Sequence, residues 1–232
     1  MTGARSLPRW EVADVTGAVV AIDVIRAFTT AAYAFGAGAR EILLADTVAQ
    51  ALALRVDLPH ALVMGEEHGR RPDGFDFSNS PVLIAAADLD GRTLIQRTSA
   101  GTRGVVAAIA AERLWCASLV VASATARAVA IAGLGPPTYV ITGRFEDALE
   151  RGVDDVLTAE LIERARVGEP LDAPATARAI LACDEATSTL ALGGDDAHPD
   201  DIVYATRIDH FDFAMEVERT PDGLLRVTPT RP

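Results

Sequence analysis

The chain has 232 residues, half of them hydrophobic, and a formal net charge of −12. That charge argues against nucleic acid as a partner, because such proteins present a basic face. No run approaches the roughly 20 apolar residues of a membrane-spanning helix, and the stretch from Met1 to Trp10 lacks the apolar centre of a signal peptide, so the expectation is a soluble, cytoplasmic protein. Cys116 and Cys183 are too few for a disulfide framework or a thiolate metal site, and their apolar surroundings suggest buried free thiols. The 21 basic residues are all arginine. Lysine Schiff-base chemistry and a P-loop are therefore excluded. Any cationic ligand contact must use a guanidinium, whose planar fork suits phosphate, carboxylate or sulfonate.

Residues 17–22 form an apolar run that reads as a buried strand, and it stops at Asp23. A helix over about 27–37 follows, closed by Gly36 and Gly38. Residues 40–45 read as a second strand. Asp46 and Thr47 offer N-caps for a helix through Arg55. A third strand at 61–64 ends at Gly65-Glu66-Glu67. This strand–helix alternation predicts a mostly parallel sheet with helices on both faces. Residues 68–81 then form an aperiodic loop, long enough to suggest function. A short helix over 82–87, a strand over 93–97 and a helix over 101–112 come next. Further strands are expected at 119–122 and 138–141, around a helix over 125–131. Beyond Arg144 the pattern turns helical, over 154–166, 175–192 and 200–207, with a linker at 170–174. Strands at 213–217 and 224–227 around Pro221-Asp222-Gly223 have the pattern of a hairpin. The expected architecture is a three-layer α/β/α fold with a mostly parallel sheet, a helical C-terminal part and a closing hairpin. It is one α/β domain over 1–232, with 144–207 as a candidate helical subdomain.

Four stretches carry residues suited to chemistry. Asp23 ends a strand, and Arg26, Thr29 and Thr30 stand at the mouth of the next helix. Ligands of open α/β sheets bind beyond strand carboxyl ends, and helix N-termini attract anions. Asp23 is thus a metal ligand or an attacking carboxylate, and Arg26 a phosphate clamp; the plainer reading makes Asp23 a helix cap paired with Arg26. Glu66 also ends a strand, and carboxylates at neighbouring strand ends suit a hard divalent cation. Asn79, the one asparagine in the chain, is either a ligand contact or an Asx-turn. Thr98, Ser99, Gly101, Thr102 and Arg103 open a helix with hydroxyls, glycine and charge, as an anion nest would. Asp154 and Asp155 open the late helix, where acids ordinarily complement the helix dipole. His68 and His210 are the acid–base candidates among the histidines, and a surface or structural place is the expectation for both.

Three motifs occur in order: Ile22-Asp23-Val24-Ile25-Arg26-Ala27-Phe28-Thr29-Thr30, then Gly65-Glu66 with Gly74-Phe75-Asp76-Phe77-Ser78-Asn79-Ser80-Pro81, then Thr98-Ser99-Ala100-Gly101-Thr102-Arg103. Together with Ile208-Asp209-His210-Phe211-Asp212 they resemble the 2-phosphosulfolactate phosphatase family. The resemblance implies a Mg²⁺-dependent phosphatase converting 2-phospho-3-sulfolactate to 3-sulfolactate and phosphate, a step of coenzyme M biosynthesis. It implies Asp23, Glu66 and Asp155 as metal ligands. Asp23 and Arg26 would be catalytic. Arg26, Thr29, Thr30, Asn79, Thr98, Ser99, Gly101, Thr102 and Arg103 would hold the substrate. The expected partner is a small anionic phospho-acid, and homo-oligomerisation is left open. The chain departs from the family pattern at Glu67, where an Arg is usual, at Ala100, where an Asn is usual, and at Asp184-Glu185-Ala186-Thr187. These departures leave open another small phosphate monoester as substrate, or a degenerate anion-binding protein without catalysis.

Overall fold

The computed structural model describes residues 3–170 and 172–232. Arg5–Pro8 (β1) is an edge strand, and Ala18–Ile22 (β2) is buried at every position. Ala27–Gly36 (α1), Glu41–Leu44 (β3), Val48–Asp57 (α2) and Leu62–Gly65 (β4) continue the predicted alternation. The Thr47 hydroxyl caps α2 by accepting the Gln50 N–H at 3.1 Å. Pro81–Ala85 (α3), Thr93–Arg97 (β5), Gly101–Ala107 (α4), Arg113–Ala117 (β6), Ala122–Ala132 (α5) and Thr138–Ile141 (β7) follow. Helices Val153–Val167 (α6), Ala173–Leu181 (α7), Asp184–Leu190 (α8) and Asp201–Ala205 (α9) precede the hairpin Ala214–Arg219 (β8) and Leu225–Thr230 (β9).

Among the described residues nine strands form one sheet, in the order β1-β7-β2-β6-β8-β9-β3-β5-β4. The β1-β7-β2-β6 group and the β3-β5-β4 group are each parallel. The hairpin lies between them and pairs antiparallel on both sides. Three reversals separate β6 from β3, so the two parallel groups run in opposite directions. The α/β architecture is as expected, but the hairpin is a bridge in mid-sheet rather than an appendage.

Helix α1 explains how such a sheet makes one site. Every residue of α1 from Ala27 to Phe35 is buried, as a helix apolar on all sides must be. One hydrophobic cluster joins Phe28, Ala31 and Phe35 of α1 to Val19 of β2, Leu94 of β5, Met64 of β4, Met215 of β8 and Val227 of β9. The sheet therefore curls around α1, helped by the twist accumulated from strand to strand. Gln96 at the end of β5 donates from Nε2 to the Ala27 carbonyl at 2.8 Å. Outside the curl, α5 and α6 cover the β2 group and α2 covers the β3 group, each over its own apolar cluster, which gives the three layers.

Two expectations on the elements need correction. The strand expected at 119–122 lies earlier, at β6; Leu119–Val121 winds a single 3-10 turn into α5. Residues 114–117 and 119–122 are both short, apolar and buried, and periodicity does not separate strand from helix in such runs. The helix expected over 175–192 breaks at Ala182 and Cys183 into α7 and α8. Cys116 and Cys183 are free and buried, as expected. Among the described residues no helix is long and apolar enough to cross a membrane.

Candidate active site

A cleft of about 390 Å³ opens where the ends of β2, β4 and β5 meet the start of α6. Asp23, Arg26, Glu66, Asn79, Ser99 and Asp155 line it, together with His68, Asp154, Arg151 and Glu185. β2 and β4 are not neighbours: they belong to the two opposed parallel groups, and only the curl of the sheet around α1 brings their ends together.

Asp23 stands directly after β2. Its Oδ1 accepts the Ala27 N–H at 2.8 Å, so it does cap α1 as the plainer reading holds. Its Oδ2 lies 3.3 Å from the Thr142 hydroxyl, which donates to the Ile22 carbonyl at 2.8 Å. Gly101 permits this arrangement. A Cβ there would stand 2.7 Å from Asp23 Oδ2 and 2.7 Å from the Ala27 methyl, so only glycine lets α4 begin this close. Burial, reinforced by the charge of Glu66, pushes the Asp23 carboxyl up to about 6.

Asp154 and Asp155 do more than complement the α6 dipole. Both are buried. Asp155 accepts the Val24 N–H at 3.0 Å and the Gly143 N–H at 2.9 Å, and Asp154 accepts the Ile25 N–H at 3.1 Å. The start of α6 is thereby tied to the backbone that follows Asp23. Burial and the charges of Glu185 and Asp23 raise the Asp154 carboxyl to about 7. Burial and the charges of Asp154 and Asp23 hold Asp155 well above the ordinary carboxylate range.

On the opposite wall, the Glu66 carboxylate accepts the Ser99 N–H and the Ser99 hydroxyl, and takes the Gly69 N–H at 2.6 Å. Gly65 is required here: its φ is +133°, and a Cβ would fall 1.8 Å from the Arg97 carbonyl oxygen. Arg26 is buried, and its Nη1 donates to Asp201 Oδ2 at 2.7 Å and to the Asp196 carbonyl at 2.9 Å. Its partner is therefore Asp201 rather than Asp23. Nε and Nη2 of Arg26 have no hydrogen-bond partner among the described residues, although the side chain lines the cleft. Asn79 is 4% exposed, and its Oδ1 has no partner.

The remaining predicted residues lie outside the cleft. The Thr29 hydroxyl donates to the Val24 carbonyl, and Thr30 is fully buried with its hydroxyl unpartnered. Thr98 and Thr102 bond each other across the first turn of α4, side chain to backbone in both directions. Arg103 points to a separate surface hollow with Arg9 and Trp10, 3.9 Å from Asp46. Of the histidines, His68 stands on the cleft wall, whereas His210 packs against Tyr33 with ring centroids 5.4 Å apart. Sequence reasoning missed Arg151 and Glu185 as lining residues. Glu185 had a signal, since it falls in a stretch already marked as unusual.

A profile of the 2-phosphosulpholactate phosphatase family matches residues 6–220. The chain belongs to the 2-phosphosulfolactate phosphatase family. Relatives named probable 2-phosphosulfolactate phosphatase include one from Bacillus subtilis, 33% identical over 204 residues and covering 86% of each chain. One from Thermoplasma acidophilum is 26% identical over 210 residues, covering 88% of this chain and 90% of its own. One from Deinococcus radiodurans is 37% identical over 142 residues, covering 61% of this chain and 58% of its own. As a member of a phosphatase family, the protein is a phosphoric monoester hydrolase.

The positions expected to depart from the family pattern have definite places. Glu67 is half-exposed and pairs with Arg97 Nη2 at 3.1 Å. Ala100 puts a methyl group on the cleft wall. Glu185 adds a carboxylate to the cleft: its Oε1 accepts the Gly152 N–H at 2.8 Å, and its Oε2 is buried without a partner.

Proposed function

We propose that the protein hydrolyses 2-phospho-3-sulfolactate to 3-sulfolactate and phosphate, in a Mg²⁺-dependent reaction that serves coenzyme M biosynthesis. The observation that carries this reading is the convergence of Asp23, Arg26, Glu66, Asn79 and Asp155, from four separate stretches of chain, on one cleft.

The donor chemistry fits Mg²⁺. Every carboxylate in the cleft supplies oxygen, the donor a hard cation takes. Burial first, and then the charge of Glu66 on Asp23 and of Glu185 and Asp23 on Asp154, raises these two carboxyls, so a bound cation would relieve a cost of ionising them. Asn79 Oδ1 and Glu185 Oε2 are buried acceptors without donors. Among the described residues no three carboxylates, histidines or cysteines form a finished cage. Mg²⁺ usually keeps waters and takes substrate phosphate oxygens to complete its octahedron, so Asp23, Asp155 and Glu66 would hold it only in part. Bound there, Mg²⁺ supplies neutralisation of the phosphoryl charge and polarisation of the P–O bonds.

The chain's own groups then divide the remaining work. The free Nε and Nη2 edge of Arg26 holds equatorial phosphoryl oxygens through charge-assisted bonds. The Asn79 amide fixes the phosphoryl group from the β4–β5 side, while the Ser99 hydroxyl, committed to Glu66, steadies that carboxylate. Asp23 aligns the attacking water or attacks phosphorus itself. Helix α6, through Asp154 and Asp155, holds the Asp23 segment still while this happens.

A phosphate-release assay over a panel of phospho-acids, with and without Mg²⁺, tests the proposal. The expected result is release from 2-phospho-3-sulfolactate that ends when Mg²⁺ is chelated. Release confined to another phospho-acid would support a second reading, favoured by the Glu185 carboxylate inside the cleft: the same chemistry on a different small phosphate monoester.

A further inference from the structure

Arg26 is held by an acid that lies 175 residues away in the chain and does not itself line the cleft. Asp201, on α9, is completely buried. Its Oδ1 accepts the Ser80 hydroxyl at 2.5 Å and the Val82 N–H at 3.4 Å. Its Oδ2 accepts Arg26 Nη1 at 2.7 Å and the His198 N–H at 3.0 Å. One carboxylate thus joins three pieces of chain: the segment after β2, the loop that carries Asn79, and the turn from Asp196 to His198. That turn is also tied to the segment after Gly69. The Asp196 carboxylate accepts the Arg71 N–H at 2.7 Å and lies 3.2 Å from Arg70 Nη1, and its carbonyl is the second acceptor for Arg26 Nη1.

We propose that Asp201 is a positioning residue for phosphate binding. It fixes the Arg26 guanidinium by Nη1, so that Nε and Nη2 face the cleft as a pre-oriented pair. Through Ser80 it also anchors the loop that carries Asn79. The physical reason is that a guanidinium is useful to a phosphoryl group only in one plane. Anchoring one nitrogen on a buried carboxylate removes the rotamer freedom that would otherwise be lost when the ligand binds. Asp201 leaves no local signal, because it reads as an ordinary acid in the first turn of a short helix. The inference rests on the reading of Arg26 as the phosphate clamp.

The test is a double-mutant cycle read with inorganic phosphate as well as with phosphosulfolactate. D201N keeps the shape but removes the charge that anchors Nη1, so phosphate affinity and kcat/KM should fall about tenfold or more, as for a hydrogen bond between charged groups. In the R26Q background the same substitution should cost almost nothing further. A merely structural Asp201 would lower the melting temperature and leave the folded protein's phosphate affinity intact, which overturns the inference, as does an undiminished D201N loss in R26Q. If D201N does not fold, Ser80→Ala removes one bond from Asp201 and keeps the ion pair. A loss of about threefold in phosphate affinity, absent in R26Q, is then expected, and no loss overturns the inference. Full phosphate affinity in R26Q itself would remove the clamp reading and the inference with it. Failure on phosphosulfolactate alone, with phosphate binding behaving as stated, would bear only on the substrate.

Discussion

Asp155 Oδ1 accepts the backbone N–H of Val24 at 3.0 Å across 131 residues of chain. The contact makes the first turn of α6 a brace for the strand end that bears Asp23, and Asp155 Oδ2 extends the brace to Gly143. Asp155→Ala leaves the buried Val24 N–H and the partly buried Gly143 N–H without acceptors. Stability should fall by about 1–3 kcal/mol for the unsatisfied groups, and kcat should fall with it, because the Asp23 segment loses its support. Chemical denaturation and initial-rate kinetics on the same preparation check both halves.

Asp23→Asn should separate activity from stability. The amide oxygen still accepts the Ala27 N–H, and the amide nitrogen faces Thr142 Oγ1, which can accept. The substitution also removes a charge that burial disfavours. Phosphate release should drop at least about 10²-fold, the scale of a lost catalytic carboxylate. The melting temperature of the metal-free protein should be unchanged or higher. A sharply lower melting temperature would mean that Asp23 is mainly a structural cap.

The raised carboxyls set a pH dependence for the metal-free protein. Asp23 and Asp154 titrate near 3.8 when unfolded and at about 6 and about 7 in the fold. Each binds its proton more tightly when folded. Stability is therefore greatest below the unfolded value and declines as pH rises through the folded values. Thermal melts in chelator should lose stability from about pH 4 to about pH 7, and Mg²⁺ should flatten that slope by compensating the carboxylates. A melting temperature that climbs over the same window would contradict the crowding of charge described for the cleft.

What the sequence made legible follows from range. β2, Asp23 and α1 were readable because an apolar run, an acid and an alanine-rich helix are all local signals. β1 was not, since Arg5–Pro8 is a four-residue edge strand containing Arg and Pro. The β8–β9 hairpin announced itself through Pro221-Asp222-Gly223, but its insertion between β6 and β3 depends on pairings such as Val227 with Ile42, which no local pattern encodes. The same limit applies to the site. Asp23, Glu66, Asn79 and Ser99 were found because each sits at a strand end or in a loop of unusual composition. Asp201 and Glu185 reach the site only through the packing of α9 and α8. Conversely, Thr98, Thr102 and Thr29 looked like ligand donors because of their hydroxyls, which the fold spends on its own backbone.

Arg103 illustrates that contrast in a form that can be measured. Its side chain is half-exposed, lies 3.9 Å from Asp46 and faces the hollow shared with Arg9. Arg103→Ala should leave kcat and KM for the substrate within about twofold and stability within about 0.5 kcal/mol, as for an exposed pair. A large rise in KM would return Arg103 to the binding site.

Gly101 is where the fold and the chemistry press hardest on each other. Gly101→Ala places a methyl group 2.7 Å from both Asp23 Oδ2 and the Ala27 Cβ. Neither neighbour can yield freely: Ala27 belongs to the fully buried α1, and the other Asp23 oxygen is held by the Ala27 N–H. The strain should cost about 1–3 kcal/mol, the usual range for overpacking a buried contact. It should also move the Asp23 carboxylate by part of an ångström, enough to lower kcat about 10²-fold where reacting groups must be aligned. Thermal melts combined with kcat on the folded fraction distinguish the two effects. If kcat on the folded fraction is unchanged while stability falls, Gly101 serves packing alone, and the carboxylate that it touches is not the one aligned with phosphorus.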